Sequence, residues 1–139
     1  MTLYILDTDH ISLFQKSHPQ VAERAYNLSP EEIAVTVISA EEQIRGWLNA
    51  IRRAEVGDRL TWGYLGLRLG IEFFNSIRVL DFNEAAFKQY LYLRSTKIRV
   101  GTQDLRIASI VLAQNGILVT RNRRDFGQVS GLNIQDWTQ

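Results

Sequence analysis

The sequence contains no cysteine and only two histidines, His10 and His18. Disulfides, thiolate metal sites and cysteine nucleophiles are therefore excluded, and a histidine-rich zinc site is not expected. The chain also has only two prolines, no low-complexity stretch and no apolar run long enough to span a bilayer. Because no charged leader precedes the first apolar run, we expect a soluble, cytoplasmic protein that makes no membrane contact.

What the chain does contain is enough apolar material for one core. Its 139 residues are 45% hydrophobic and 10% aromatic, which predicts a single domain over 1–139. Short apolar runs alternate with longer amphipathic segments, a pattern typical of β-α units around a parallel sheet. Strands are predicted at 3–6, 33–38, 77–80, 116–120 and 132–135. Helices are predicted at 9–17, 20–28, 39–53, 58–76, 83–95 and 103–114.

Positive charge is concentrated in one part of the sequence, although the net charge of the chain is only +1. Between residues 94 and 124 there are seven basic residues and one acidic residue, a net charge of +6. Thirteen of the sixteen basic residues of the chain are arginines, whose planar guanidinium suits phosphate. The stretch therefore indicates either an ordinary solvated surface or a surface that contacts nucleic acid.

Four acidic residues fall where predicted strands end or the following helices begin. Asp7 follows the first strand, Glu42 lies early in the helix after the second, and Asp125 comes soon after the fourth. Asp104 is near the start of a helix that reaches the same edge if it docks beside the first strand. Open α/β sheets bind ligands at the carboxyl ends of their strands. The four carboxyl groups are therefore predicted to converge there.

Each of these acids has an alternative structural explanation, because acidic side chains are favoured at helix N-termini. Ser39 and Glu42 have the spacing of a capping box. Thr102 could cap the helix that contains Asp104, and Asn122 could cap a turn that contains Asp125. Convergence of all four acids favours a ligand instead, since like charges about 4 Å apart repel by roughly 4 kcal/mol at an effective dielectric of about 20. All-oxygen ligation favours Mg²⁺, or Mn²⁺, as the compensating ion.

Four short motifs in order carry a family resemblance. The segments ILDTD, ISAEEQIRG, GTQDLRIAS and VTRNRRDF, which start at residues 5, 38, 101 and 119, resemble those of the PIN domain, specifically of VapC-type toxins. The resemblance extends from residue 3 to about residue 137. It implies a three-layer PIN-like α/β fold, with a central, mainly parallel sheet of about five strands flanked by helices.

The resemblance also implies a Mg²⁺-dependent ribonuclease site. Asp7, Glu42, Asp104 and Asp125 match its four acids as catalytic residues and metal ligands, while Thr8, Thr120 and Asn122 match supporting polar residues. Hydrolysis of an RNA phosphodiester bond would leave a 5′ phosphate and a 3′ hydroxyl. The predicted contacts with the RNA backbone come from arginines of the basic stretch, namely Arg99, Arg106, Arg121, Arg123 and Arg124.

The sequence departs from the family pattern beside two of the motif acids. Asp9 occupies a position that is more often asparagine in the family, so it is expected to be a group at the helix start or one that supports the metal ligands. Glu41 adds a second acid next to Glu42, and the spacing to the following Arg-Gly favours Glu42 as the ligand. Successive helix residues point about 100° apart, so both acids are not expected to face one ion.

The pattern of residues 45–76 predicts two helices that carry several large apolar side chains, including Trp47, Trp62 and Tyr64. These side chains could be ordinary core. They could also form an exposed groove for a partner helix and a dimer face. The family resemblance implies a homodimer and a cognate antitoxin, whose C-terminal segment wraps such helices and places a basic side chain in the acidic site.

Two other functions fit part of the sequence. The DTD segment is similar to that of haloacid dehalogenase-like phosphatases, in which Asp7 would be a nucleophile and Asp9 a general acid. That family expects a later lysine and a pair of acids, neither of which is found after the fourth predicted strand; a response-regulator receiver lacks the same lysine. The second alternative is a non-catalytic RNA-binding protein that uses the basic stretch.

Overall fold

A five-stranded parallel sheet forms the centre of the molecule, in a computed structural model that describes residues 1–139. The strands are β1 (Tyr4–Leu6), β2 (Ile33–Thr36), β3 (Arg78–Leu80), β4 (Ile117–Val119) and β5 (Asn133–Gln135). Their order in the sheet is β3-β2-β1-β4-β5, and every neighbouring pair is parallel. The chain reverses its direction of progress between β1 and β4, which is where open α/β sheets form a ligand-binding crevice.

Seven α-helices and one 3₁₀ turn connect the strands. The helices are α1 (Thr8–Gln15), α2 (Pro19–Tyr26), α3 (Val37–Arg53), α4 (Gly57–Ser76), α5 (Glu84–Ser95), α6 (Thr102–Gln114) and α7 (Arg123–Phe126). The 3₁₀ turn is Pro30–Glu32. None of the helices combines the length and the apolar character that a membrane span requires.

Both faces of the sheet are covered, because neighbouring residues of a strand point to opposite sides. Ile5 belongs to a core that includes Leu93 of α5 and Ile107 of α6. Leu6 belongs to a second core with Val21 of α2 and Trp137 near the C-terminus. The predicted three-layer α/β fold with about five strands is therefore confirmed.

Some predicted helix starts are wrong. The second strand ends at Thr36, whose side chain accepts a hydrogen bond from the Ser39 N–H at 3.1 Å, so α3 begins at Val37. Ser39 is therefore inside the helix and does not cap it. Gly101, and not Thr102, is the N-cap of α6. The predicted cap at Asn122 is confirmed, since its side chain accepts from the Asp125 N–H at the start of α7.

Candidate active site

Asp7 lies at the switch point of the sheet, between the carboxyl ends of β1 and β4. It is the N-cap residue of α1, and only 6% of its surface is exposed. Thr120, directly after β4, donates its hydroxyl to Asp7 Oδ2 at 2.8 Å. Burial, followed by the negative charges of Asp9 and Asp104, raises the pKa of Asp7 to about 7. This carboxyl group therefore carries a high cost of ionisation, which a bound cation would reduce.

Glu42 approaches the same region from α3. Its Oε1 accepts the hydroxyl of Thr8 at 2.9 Å, and Thr8 directly follows Asp7 in the chain. Glu41 is held elsewhere: its oxygens accept from Arg45 at 2.7 Å and from Gln103 at 3.0 Å. Of the two neighbouring acids, Glu42 is thus the one tied to the Asp7 segment.

Asp104 and Asp125 complete the set of acids. Burial raises the pKa of Asp104 above its ordinary value, and the charges of Glu42, Asp125 and Asp9 raise it further. Asp125 lies in α7, where the side-chain amide of Asn122 donates to its Oδ2 at 3.1 Å. The charges of Glu42, Asp125 and Asp9 thus act on Asp104, whereas the convergence of the four predicted acids on one ligand stays a prediction.

Asp9 is fully engaged by hydrogen-bond donors on both of its oxygens. Oδ1 lies 2.8 Å from His10 Nδ1, and Oδ2 accepts from the Arg121 N–H at 3.1 Å. Although burial alone would raise the pKa of Asp9, these donors lower it below its ordinary value. An acid that is held ionised in this way is poorly suited to the general-acid role that the phosphatase alternative requires.

The carboxylate oxygens of the four predicted ligands suit a hard divalent cation, although the side chains are not close enough together to bind one ion. The four predicted ligands supply carboxylate oxygens, the type that Mg²⁺ prefers, and burial and mutual charge raise the pKa of two of them. No three histidine, cysteine, aspartate or glutamate side chains lie close enough together to hold one metal ion. Metal binding by these acids therefore stays a prediction, and it requires their side chains to move closer.

Several arginines lie on the same chain segments as Asp104 and Asp125. Arg121, Arg123 and Arg124 are exposed in and next to α7, and Arg99 is exposed before α6. Arg106 differs from the others because it packs over the ring of Tyr90, 5.6 Å from the ring centroid, and donates to Gln103. The four exposed guanidinium groups are free to approach a phosphate chain, whereas Arg106 is already in contact with the protein.

Two residues that support the acids could not be assigned from the sequence pattern. Ser39 is buried and its hydroxyl lies 2.9 Å from the hydroxyl of Thr8, which orients Glu42. His10 is buried beside Asp9. A histidine next to a motif acid was a signal that could have been followed, whereas the partner of Ser39 is 31 residues away and could not be read from spacing.

The chain is similar over its whole length to known proteins. It is 28% identical, across 99% of both chains, to Ribonuclease VapC1 from Haemophilus influenzae (strain R2866). It is 27% identical to tRNA(fMet)-specific endonuclease VapC from Shigella flexneri, across 99% of this chain and 100% of the relative. The solved structure of VapBC-1 from nontypeable Haemophilus influenzae matches with a TM-score of 0.78 at 27% identity, covering 99% of this chain and 100% of that one. No protein-family model matches the sequence.

The parallel sheet, the acids at its carboxyl edge and these full-length similarities match a PIN-like α/β fold. Within that class of fold, the chain is similar over its whole length to VapC ribonucleases.

Proposed function

We propose that the protein is a Mg²⁺-dependent endoribonuclease, acting in the cytoplasm as a toxin that a cognate antitoxin neutralises. The observation that carries the proposal is the set of acids near the switch point of the sheet whose charges act on one another. Exposed arginines precede α6 and lie in and next to α7. The relatives support the activity, since two of them are named a ribonuclease and a tRNA(fMet)-specific endonuclease.

Each of three acids has a neighbour that orients it for this function. Thr120 holds Asp7, Thr8 holds Glu42, and Asn122 holds Asp125. Asp7, Glu42, Asp104 and Asp125 would hold Mg²⁺, which supplies a water of lowered pKa and neutralises charge that develops on the phosphate. The hydrogen bonds reduce the freedom of the carboxylates before RNA binds, so less ordering is needed in the transition state.

The proposed reaction is tested by incubating the pure protein with total RNA and with purified tRNA, with and without Mg²⁺. We expect discrete fragments with 5′ phosphate and 3′ hydroxyl ends, only when Mg²⁺ is present. Intact RNA in every condition, or fragments with 2′,3′-cyclic phosphate ends, would contradict the proposal.

The exposed arginines are proposed to hold the RNA backbone and not to read its sequence. Replacing Arg123 and Arg124 by alanine should weaken binding equally for RNAs of unrelated sequence. The slope of log Kd against log salt concentration should fall by about 0.7 for each lost phosphate contact. Binding is measured with Asp7→Asn as the common background, so that RNA is not cut. Arg78→Ala, at the opposite edge of the sheet, is the control, and an equal effect of this control would contradict the assignment.

A groove between α1, α3 and α4 is the proposed binding site of the antitoxin. Its volume is about 970 Å³, and its walls include Trp47, Trp62, Leu65 and Leu69. Trp62 is 58% exposed, so it is not the core residue that one interpretation of the sequence expected. The VapBC-1 relative and the family resemblance support a partner protein. An amphipathic segment could bury these side chains in the groove.

The shape of the groove depends on glycines in α4. A Cβ atom at Gly66 would lie 2.3 Å from the ring of Trp47, so the indole of α3 lies directly on the backbone of α4. Gly66→Ala should displace this ring and weaken antitoxin binding by at least about tenfold, since such contacts at an interface commonly contribute more than about 1 kcal/mol. RNA cleavage by the isolated protein should persist, because the acids are elsewhere.

Affinity for the proposed cognate antitoxin is measured by calorimetry, with Gly57→Ala as the matched control. A Cβ atom at Gly57 would have no other atom within 4 Å, so this replacement should not change binding. Equal affinity of the wild type and Gly66→Ala would exclude this groove as the antitoxin site.

A second apolar stripe on α4 lies outside the groove and is proposed to form a homodimer. Tyr64 is 57% exposed, and Ile71, two helical turns later, is also exposed; neither residue lines the groove. We expect the isolated protein to be a dimer by light scattering at micromolar concentration, and Tyr64→Glu to be a monomer. A strictly monomeric wild type would contradict this part of the proposal.

A further inference from the structure

A buried histidine connects the C-terminal segment of the chain with the candidate active site. His10 in α1 is completely buried. Its Nδ1 lies 2.8 Å from Asp9 Oδ1, and its Nε2 accepts from the backbone N–H of Trp137 at 3.2 Å. The imidazole also packs edge-on against the Trp137 ring, with the ring centroids 6.4 Å apart.

The backbone of Trp137 determines which nitrogen of His10 carries the proton. Trp137 is only 1% exposed, and a buried backbone N–H needs an acceptor. Nε2 must therefore present its lone pair, which places the proton on Nδ1 and makes Nδ1 a donor to Asp9. Asp136 Oδ1 lies 3.6 Å from Nε2, too far for a hydrogen bond, and it accepts from Thr138 instead.

With this proton in place, Asp9 receives donors from two directions. His10 donates to Oδ1, while the Arg121 N–H donates to Oδ2, and the Thr120 hydroxyl is 3.4 Å from the same oxygen. Only a carboxylate can accept on both atoms, because one terminal atom of asparagine is a donor. The acid at position 9, where the family more often has asparagine, is thus matched to the histidine that follows it.

The connection continues from Asp9 to the acids that are proposed to bind Mg²⁺. Thr120, beside Arg121, donates to Asp7 at 2.8 Å and accepts from the Asn122 N–H at 3.0 Å. The side chain of Asn122 in turn contacts both the N–H and the carboxylate of Asp125. Hydrogen bonds of residues 120–122, directly after β4, therefore connect Asp7 with Asp125. Asp9 binds the same residues and so joins them to α1.

We propose that His10 is a positioning residue: by donating to Asp9, it fixes the segment 120–122 and thereby the relative placement of Asp7 and Asp125. The inference rests on the proposed ribonuclease function. His10 itself touches neither RNA nor the reacting atoms. Its loss should lower kcat, whereas the KM for RNA, which the exposed arginines determine, should stay unchanged.

Two substitutions separate the two hydrogen bonds of His10. The side-chain nitrogen of asparagine is as many bonds from Cα as Nδ1, and the side-chain oxygen of glutamine is as many bonds from Cα as Nε2. His10→Gln can therefore keep the acceptor for Trp137 and lose the donor to Asp9. His10→Asn can keep the donor to Asp9 and lose the acceptor for Trp137.

The two variants should have opposite effects on kcat and on hydrogen exchange at Trp137. His10→Gln should lower kcat by about 10- to 100-fold, the usual effect of removing a group that supports metal ligands, with little change in hydrogen exchange at Trp137. His10→Asn should restore most of that kcat and speed exchange of the Trp137 N–H. The control is His18→Asn, because His18 caps α2 away from the acids and asparagine is also a good N-cap. Wild-type kcat in His10→Gln, or an equal loss in His10→Asn, would overturn the inference.

A measurement on the unaltered protein keeps the inference testable if His10→Gln does not fold. The side-chain ¹⁵N chemical shifts of His10 should report a proton on Nδ1 and none on Nε2 at neutral pH, and the reverse tautomer would overturn the inference. Failure of the proposed function is recognised separately, since the wild type itself would then not cleave RNA. A wild type that cleaves RNA, together with a His10→Gln variant that cleaves it equally well, would contradict the role of His10 alone.

Discussion

Replacing Asp7 by asparagine should abolish RNA cleavage and, at the same time, make the protein more stable at neutral pH. The loss of activity should exceed about 100-fold, because residues that merely support metal ligands already cost about 10- to 100-fold. The gain in stability follows from burial, which together with the charges of Asp9 and Asp104 raises the pKa of Asp7 to about 7. Asparagine is never ionised, so the free-energy cost of ionising a buried side chain at position 7 disappears.

The size of the gain can be stated for protein without divalent cation. Between the ordinary value of 3.8 and the value of about 7 in the folded chain, each pKa unit corresponds to about 1.4 kcal/mol. Asp7→Asn should therefore raise the free energy of unfolding by up to about 4 kcal/mol near pH 7 in a chelator. Urea unfolding measures this, with Asp58→Asn in the exposed first turn of α4 as the control. A less stable Asp7→Asn variant, or one that still cleaves RNA, would contradict the assignment of Asp7.

The stability of the wild type in a chelator should fall as the pH rises. The pKa of Asp7 is raised in the folded state, so the folded chain binds this proton more tightly than the unfolded chain does. The stabilisation of the folded chain by this proton is complete below the ordinary pKa of 3.8 and is lost as the pH rises to about 7. Asp104 acts in the same direction because burial and neighbouring charges also raise its pKa. Asp9 and Asp136, whose pKa values are lowered, act in the opposite direction only in the acid range.

This dependence is measured by urea unfolding at several pH values from about 5 to about 7.5, with and without Mg²⁺. We expect the wild type to lose stability across this range in EDTA and to recover it when Mg²⁺ is added at neutral pH. Asp7→Asn should show a much smaller slope and little recovery. Stability that rises with pH in EDTA would contradict the proposed electrostatics of the site.

The order of the five strands and the six longer helices along the chain could be predicted because each of them carries its own signal, whereas the short α7 and the 3₁₀ turn were not predicted. The apolar run of β1 and the amphipathic pattern of α6 are local features, and both were found within one residue. The start of α3 was predicted two residues too late, because the β-branched Val37 and Ile38 are typical of a strand. The hydrogen bond from Ser39 to Thr36 begins the helix there, and its geometry is absent from the sequence pattern.

The candidate acids could be named for the same reason, and the family resemblance indicated Thr8, Thr120 and Asn122 as their supports. The long-range contacts of Asp9 and His10 could not be predicted. Asp7 and Asp125 follow recognisable strands, which places them at one edge of any parallel sheet. The contact of Asp9 with Arg121 joins residues 112 positions apart, and that of His10 with Trp137 joins residues 127 positions apart. The exposure of Trp62 was equally hidden, because an apolar helix face has the same pattern whether it covers a core or a partner.

The most direct test of the central claim is single-turnover cleavage of one RNA at increasing Mg²⁺ concentration, by the wild type and by Asp104→Asn. The claim is that Asp7, directly after β1, acts together with acids of α3, α6 and α7 through a divalent cation. It predicts that the wild-type rate rises with Mg²⁺ to a plateau and vanishes in EDTA, and that Asp104→Asn stays more than about 100-fold slower at every concentration. Cleavage by the wild type at an equal rate in EDTA, or by Asp104→Asn at the wild-type rate, would contradict it.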